Sequence, residues 1–191
     1  VYAFDGTGDY LSVPDHADFQ LGGGTGDFTV ECWFKRTASG STEYILGQST
    51  SGEVAAFRMS VNAANVLAFF IDSSATRKTV SATTTITDSN WHHVACVRHT
   101  SSNTLEIFLD GVSEDTVDVT GFTVRDNAAA FAVGAWGEFT SNRWNGEIAE
   151  VRISNTARWT SGFTVPTTRY TSDANTLLLI HGDEIFTDNA L

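Results

Sequence analysis

Three kinds of residue in this 191-residue chain could do chemistry: spaced carboxylates, adjacent histidines, and aromatics beside polar side chains. The nearest acid pair is Glu147 and Glu150, in Gly146-Glu147-Ile148-Ala149-Glu150-Val151. Retaining hydrolysis of a glycosidic bond needs two carboxyl groups about 5 Å apart, one as nucleophile and one as acid. Side chains at i, i+2 and i+4 of a regular strand share a face. A separation of three therefore sends Glu147 and Glu150 to opposite faces, which is the wrong pairing. Glu150 shares a face with Arg152 instead, which predicts a simple surface ion pair. Glu31 is a lone acid beside Trp33, with no partner in its own run. His92 and His93 are neighbours, so on a strand they point apart and cannot clamp one ion together. No Ser, His and Asp set has a spacing that reads as a triad. These residues predict no catalytic centre.

Sugar recognition asks for something else: an exposed aromatic face beside hydrogen-bonding side chains. The stretch from Gly134 to Trp144 fits best. Trp136 and Phe139 sit there in a Gly-, Ser- and Asn-bearing loop, with Glu138, Asn142 and Arg143 as polar company. Trp144 reads as a core residue. Trp33, on the outer face of its strand, is the second aromatic candidate for ligand binding.

The elements that must position these residues are strands. Asn90 to Gly111 holds two runs rich in β-formers around a Thr-Ser-Ser-Asn turn, which predicts a long antiparallel hairpin. Its first arm, with Val94 and Cys96 opposing Ala95 and Val97, is apolar on both faces and so must be covered on each side. Another long strand places Phe28, Val30, Cys32 and Phe34 toward the core. Thr29, Glu31, Trp33 and Lys35 then form an outer face that is polar except for the Trp. Further strands are predicted over Val1–Phe4, Tyr10–Val13, Glu43–Gln48, Val54–Val61, Asn65–Asp72, Arg77–Thr84, Thr116–Val119, Ala130–Gly134, Trp144–Ile153 and Thr176–Ile180. No segment keeps a helical period, and at most Thr156 to Trp159 forms a helical turn. Roughly twelve short strands punctuated by turns predict an all-β, antiparallel sandwich.

Composition narrows the partners. The formal charge of −12, with only 11 Lys and Arg, disfavours nucleic acid and anionic membrane surfaces. No apolar run approaches the ~20 residues of a membrane span. Cys32 and Cys96 lie inside apolar runs and read as buried thiols, with a disulfide between neighbouring strands as the alternative. The 16 Gly and 2 Pro mark turns, and no linker or repeat divides the chain. One domain over 1–191 is expected, as a unit within a longer polypeptide.

Seven pieces, in order, resemble a known family. They are Phe4-Asp5-Gly6 with Asp9-Tyr10-Leu11; Phe28-Thr29-Val30-Glu31; Trp91-His92-His93-Val94-Ala95; Leu109-Asp110-Gly111; Trp144-Asn145-Gly146-Glu147-Ile148 with Glu150-Val151-Arg152-Ile153; Ala157-Arg158-Trp159; and Leu177-Leu178-Leu179 with Gly182-Asp183. Together they resemble laminin G-like domains of the concanavalin A-like jelly-roll group, in the version found in bacterial surface proteins and phage tail or head-fibre proteins. The resemblance implies two stacked antiparallel sheets, one of them concave, and a binding face or loop rim that takes glycans or proteins. It implies a non-catalytic recognition module on a virion or cell surface, with a polysaccharide or glycan as partner. Contact with other virion or surface subunits, as a structural domain, is the alternative. Relatives often carry an acid at the position of Ala149, which removes further support from a glycosidase reading. Many relatives bind one Ca²⁺, and here the candidate ligands are Asp183, Asp5 and Asp9, since the terminal segments should meet. Those Asp residues could equally stabilise turns.

Overall fold

The computed structural model describes residues 1–37, 40–50, 55–135 and 142–182. Thirteen strands occur among them: β1 (Tyr2–Asp5), β2 (Leu11–Val13), β3 (Phe28–Arg36), β4 (Glu43–Ser49), β5 (Ala55–Val61), β6 (Val66–Asp72), β7 (Arg77–Thr85), β8 (Trp91–His99), β9 (Thr104–Leu109), β10 (Val112–Asp118), β11 (Phe131–Val133), β12 (Asn145–Ser154) and β13 (Thr176–Ile180). They form two antiparallel sheets. The seven-stranded sheet runs β1-β12-β3-β8-β9-β10, with β13 also paired to β12. The six-stranded sheet runs β2-β11-β4-β5-β6-β7.

Alternation decides what lies between the sheets. Phe28, Val30, Cys32 and Phe34 of β3 are fully buried, as predicted, and join Phe57, Phe69 and Phe131 of the facing sheet in the main core. Trp144 is also fully buried and meets Phe34 edge-on, with ring centroids 5.8 Å apart. Cys32 and Cys96 are buried free thiols. Burial pushes both well above the usual thiol range, which keeps them in the protonated, unreactive form.

Three departures from the predicted elements have local causes. β10 starts at Val112 rather than Thr116, because Asp110 and Gly111 make a two-residue turn with φ of +50° and +79°. Positive φ at both positions matches the strand twist and lets β9 pass directly into β10. The helical turn predicted at Thr156 to Trp159 is absent; the short 3₁₀ turns lie at Ala17–Phe19 and Leu21–Gly24. Third, the seven-stranded sheet does not present a bare outer face. Residues 155–175 run across it as an extra layer, and Ala157, Trp159 and Phe163 cover Ala95, Val97 and Phe108. This is how β8 satisfies its two apolar faces. Gly111 is where the layer docks: its carbonyl accepts the Phe163 N–H at 2.9 Å, and a Cβ there would stand 2.0 Å from the Phe163 oxygen.

Candidate functional site

At one end of the sandwich, the connections that follow β1, β3 and β11 converge. The Thr37 N–H donates to the Asn145 carbonyl, and the Tyr44 N–H to the Asn142 carbonyl, both at 2.9 Å. Asn142 takes a left-handed backbone, φ +55°, which Asn tolerates better than most residues. Arg143 then reaches across to the first turn. Its Nη1 donates to the Gly8 carbonyl at 3.1 Å, and its guanidinium sits 5.1 Å from the Tyr10 ring centroid. Tyr10 is 41% exposed. Of the aromatic loop predicted to bind ligand, Asn142 and Arg143 are therefore brought onto a rim with an exposed ring. Trp136, Glu138 and Phe139 lie outside the described residues.

The first turn explains its own acids. Asp5 Oδ1 accepts the N–H groups of Thr7 at 2.7 Å and Gly8 at 3.0 Å, and Asp9 Oδ2 accepts the Asp5 N–H at 3.2 Å. The Gly8 and Thr7 amides hold the Asp5 carboxyl down at about 2. Among the described residues, no group of three or more His, Cys, Asp or Glu side chains could hold a metal ion. Asp5 and Asp9 accept the amides of the turn, and Asp183 lies outside the described residues. The terminal segments do approach one another. Both pair with β12, and a Cβ on Gly182 would lie 3.0 Å from the Val1 Cα.

Trp33 does not serve as a sugar platform. It is 3% exposed, packed among Ala149, Val1, Trp91 and Val165 beneath the extra layer. From Thr29 to Trp33 the predicted outer face of β3 is in fact an interior, and only Lys35 reaches solvent. Thr29 and Glu31 are fully buried there.

Glu31 is the hub of that interior. Its Oε1 accepts from Arg152, with Nε at 2.8 Å and Nη2 at 2.7 Å. Its Oε2 accepts the Trp159 indole N–H at 2.9 Å, with the Tyr170 hydroxyl and His93 Nε2 each 3.5 Å away. His93 Nε2 and the Tyr170 hydroxyl are 2.7 Å apart, and the Arg152 guanidinium stacks 4.0 Å from the Tyr170 ring centroid. Burial alone would push the Glu31 carboxyl up. Hydrogen bonding from His93, the charges of Arg152 and His93, and the Trp159 N–H outweigh it, so the carboxyl is held below its ordinary range.

A bulge in β12 makes this possible and corrects the sequence reading of Glu150. Between Ala149, opposite Trp33, and Arg152, opposite Glu31, β12 spends three steps against two on β3. Glu150 absorbs the extra residue at φ +51°. Glu150 and Arg152 are therefore not a surface ion pair. Glu150 is buried, accepts the Tyr170 N–H at 2.9 Å, and lies 2.9 Å from His181 Nδ1; Arg152 belongs to Glu31. Glu147 pairs with Lys35 at 3.1 Å, on the side where Arg152 meets Glu31. His92 and His93 diverge as predicted. His92 lies between Asp110 at 2.7 Å and Asp88 at 3.0 Å, whereas His93 points into the Glu31 cluster.

Sequence reasoning missed this cluster because its members come from four separated segments. The available signal was a charged residue and a Trp sharing one face of a strand whose neighbour is apolar on both faces.

The family model Laminin G 3, described as the concanavalin A-like lectin/glucanases superfamily, matches residues 5–161. Three solved structures are similar in fold. A heptameric SAP-like pentraxin from Limulus polyphemus has TM-score 0.58 and 20% identity, covering 81% of this chain and 75% of that one. The CBM40 of the Ruminococcus gnavus IT-sialidase, bound to α2,3 sialyllactose, has TM-score 0.56 and 13% identity, covering 74% and 86%. The K499G mutant of the NanB sialidase from Streptococcus pneumoniae has TM-score 0.64 and 15% identity, covering 81% of this chain but 26% of the other. No curated protein sequence matches the chain.

Proposed function

The chain belongs to the concanavalin A-like lectin/glucanases superfamily, and on that footing we propose that it is a non-catalytic glycan-recognition module. The observation that carries this reading is the rim where Arg143 fixes the exposed Tyr10 ring and ties the first turn to the connection after β11. A sugar ring stacks its apolar face on such an aromatic while neighbouring polar groups take its hydroxyls. The proposal includes Trp136, Glu138 and Phe139, which precede Asn142 and Arg143 in the sequence. The rim stands on a rigid sandwich, so little ordering entropy is lost on binding.

Chemistry supports recognition over catalysis. Glycoside hydrolysis needs a carboxyl held protonated near neutral pH by a raised pKa. Glu31 is shifted the other way and is closed off from solvent, and Glu150 is buried under Tyr170 and His181. The proposed setting is a virion or cell surface, which the acidic charge of −12 suits.

The test is a glycan array with the parent domain and with Tyr10→Ala and Trp136→Ala. The parent is expected to bind a defined glycan set, and each variant to weaken it with little change in melting temperature. A parent that binds no glycan, or binding that survives both substitutions, would overturn the proposal.

A further inference from the structure

A second surface, on the far side of the seven-stranded sheet from the main core, has a different chemistry. A cleft of about 500 Å³ opens between the extra layer and β12. Arg152, Arg158 and Arg169 line it together with Trp159, Tyr170 and Thr168, and no carboxylate is among its described lining residues. Three guanidinium groups thus line one cleft in a chain that holds 23 acidic residues against 11 basic ones.

The acids that balance these arginines lie outside the lining. Glu31 and Glu150 are buried beneath it, and Asp173 holds Arg158 through paired contacts at 2.9 and 2.8 Å. Two guanidinium groups keep unused donors. Arg152 gives Nε and Nη2 to Glu31, and its Nη1 has no partner among the described residues. Arg169 is half-exposed; it gives Nη2 to the Gly182 carbonyl at 2.6 Å and stands 3.9 Å from Glu150. Its Nη1 likewise has no partner among the described residues.

The aromatic wall is fixed. Trp159 donates its indole N–H to Glu31 and stacks on Phe163 at 3.9 Å and 10°. Fork-shaped, permanently charged donors suit a planar carboxylate. An indole with nearby threonine hydroxyls suits the ring that carries it.

We propose that this cleft binds the carboxylate of an acidic saccharide, with the carboxylate on Arg152 and Arg169 and the sugar ring against Trp159. This site is separate from the rim and would stand if the rim bound nothing.

Binding is measured by titration calorimetry with D-glucuronic acid and N-acetylneuraminic acid. D-glucose and inorganic phosphate serve as controls, and Arg169→Ala, Arg169→Lys and Tyr10→Ala as variants. At least one acidic sugar is expected to bind, and both controls to bind at least tenfold more weakly. Arg169→Ala should raise the dissociation constant about tenfold or more without lowering the melting temperature, since one charge-assisted contact is lost. Arg169→Lys should recover part of the loss, and Tyr10→Ala should leave the constant unchanged. The proposal is overturned if neither acidic sugar binds, if glucose or phosphate binds as tightly as the better acid, or if Arg169→Ala has no effect. Sensitivity to Tyr10→Ala instead would move acidic-sugar binding to the rim and also overturn it.

Discussion

Replacing Glu31 with Gln should cost more stability than any exposed substitution in the chain. The carboxylate is acceptor-only, and three N–H groups converge on its two oxygens, from Arg152 and Trp159. Gln offers one oxygen and one NH₂. If the oxygen stays with Arg152, the NH₂ faces the Trp159 N–H, donor against donor. Arg152 also keeps its charge in a side chain that is 8% exposed. Breaking one partner of a buried ion pair costs about 3–5 kcal/mol. At roughly 2–4 °C per kcal/mol for a chain of this size, the melting temperature should fall by about 6–20 °C. Scanning calorimetry at pH 7 measures it.

Two further arms separate the cause from simple misfolding. Arg152→Met on top of Glu31→Gln removes the orphaned charge and should restore part of the loss. The pH arm has a defined sign. The folded Glu31 pKa is depressed, so its stabilisation is present above the unfolded value of about 4.3 and fades as pH falls through the lower folded value. The gap between parent and variant should narrow at acid pH. A loss below about 1 kcal/mol at pH 7, which is the scale of an exposed pair, or a gap that stays constant down to acid pH, would refute the reasoning.

Two other expectations follow, one from the surface layer and one from His92. Gly111→Ala should destabilise more than Gly121→Ala: both have positive φ, costing about 1–2 kcal/mol for any other residue. Only at Gly111 would the new Cβ strike a backbone atom, the Phe163 oxygen, while Gly121 has nothing within 4 Å. Equal losses in thermal melts would mean that Phe163 does not dock there. His92 is raised above its ordinary pKa, chiefly by its hydrogen bond to Asp110 and then, against burial, by Asp88. Its stabilisation is therefore full below about pH 6.5 and lost as pH rises through the folded value. The melting difference between parent and His92→Gln should be larger at pH 5.5 than at pH 8.5, and the reverse order would exclude the assignment.

The sandwich was legible because period-two alternation is a local property. Phe28, Val30, Cys32 and Phe34 name their own face, and Val94 to Val97 announce that both sides are covered. What covers the second side is not local. Residues 155–175 carry no strand pattern over most of their length, and nothing in them states that they lie on β8. Glu150 shows the other limit. Counting by twos across Gly146 to Ile153 assumes a regular strand, and one left-handed residue breaks the count without a glycine to signal it. Both errors concern Glu31: its partners arrive through the layer and through the bulge.

That dependence says what the cluster is for. The Glu31 carboxylate is buried and accepts from Arg152 and Trp159, so neither of its oxygens faces solvent. It holds Arg152 and Trp159 in single positions at the floor and wall of a cleft. Had those side chains been free on a surface, a ligand would have to freeze each at a cost of about 0.5–1.5 kcal/mol. Folding has already fixed them, so a weak polar ligand such as a single acidic sugar can be held by few contacts. The bulge at Glu150 is therefore a positioning device. It brings Arg152 opposite Glu31 and keeps Ile148, Val151 and Ile153 all in the core, whereas a regular β12 would send Ile148 and Val151 to opposite faces.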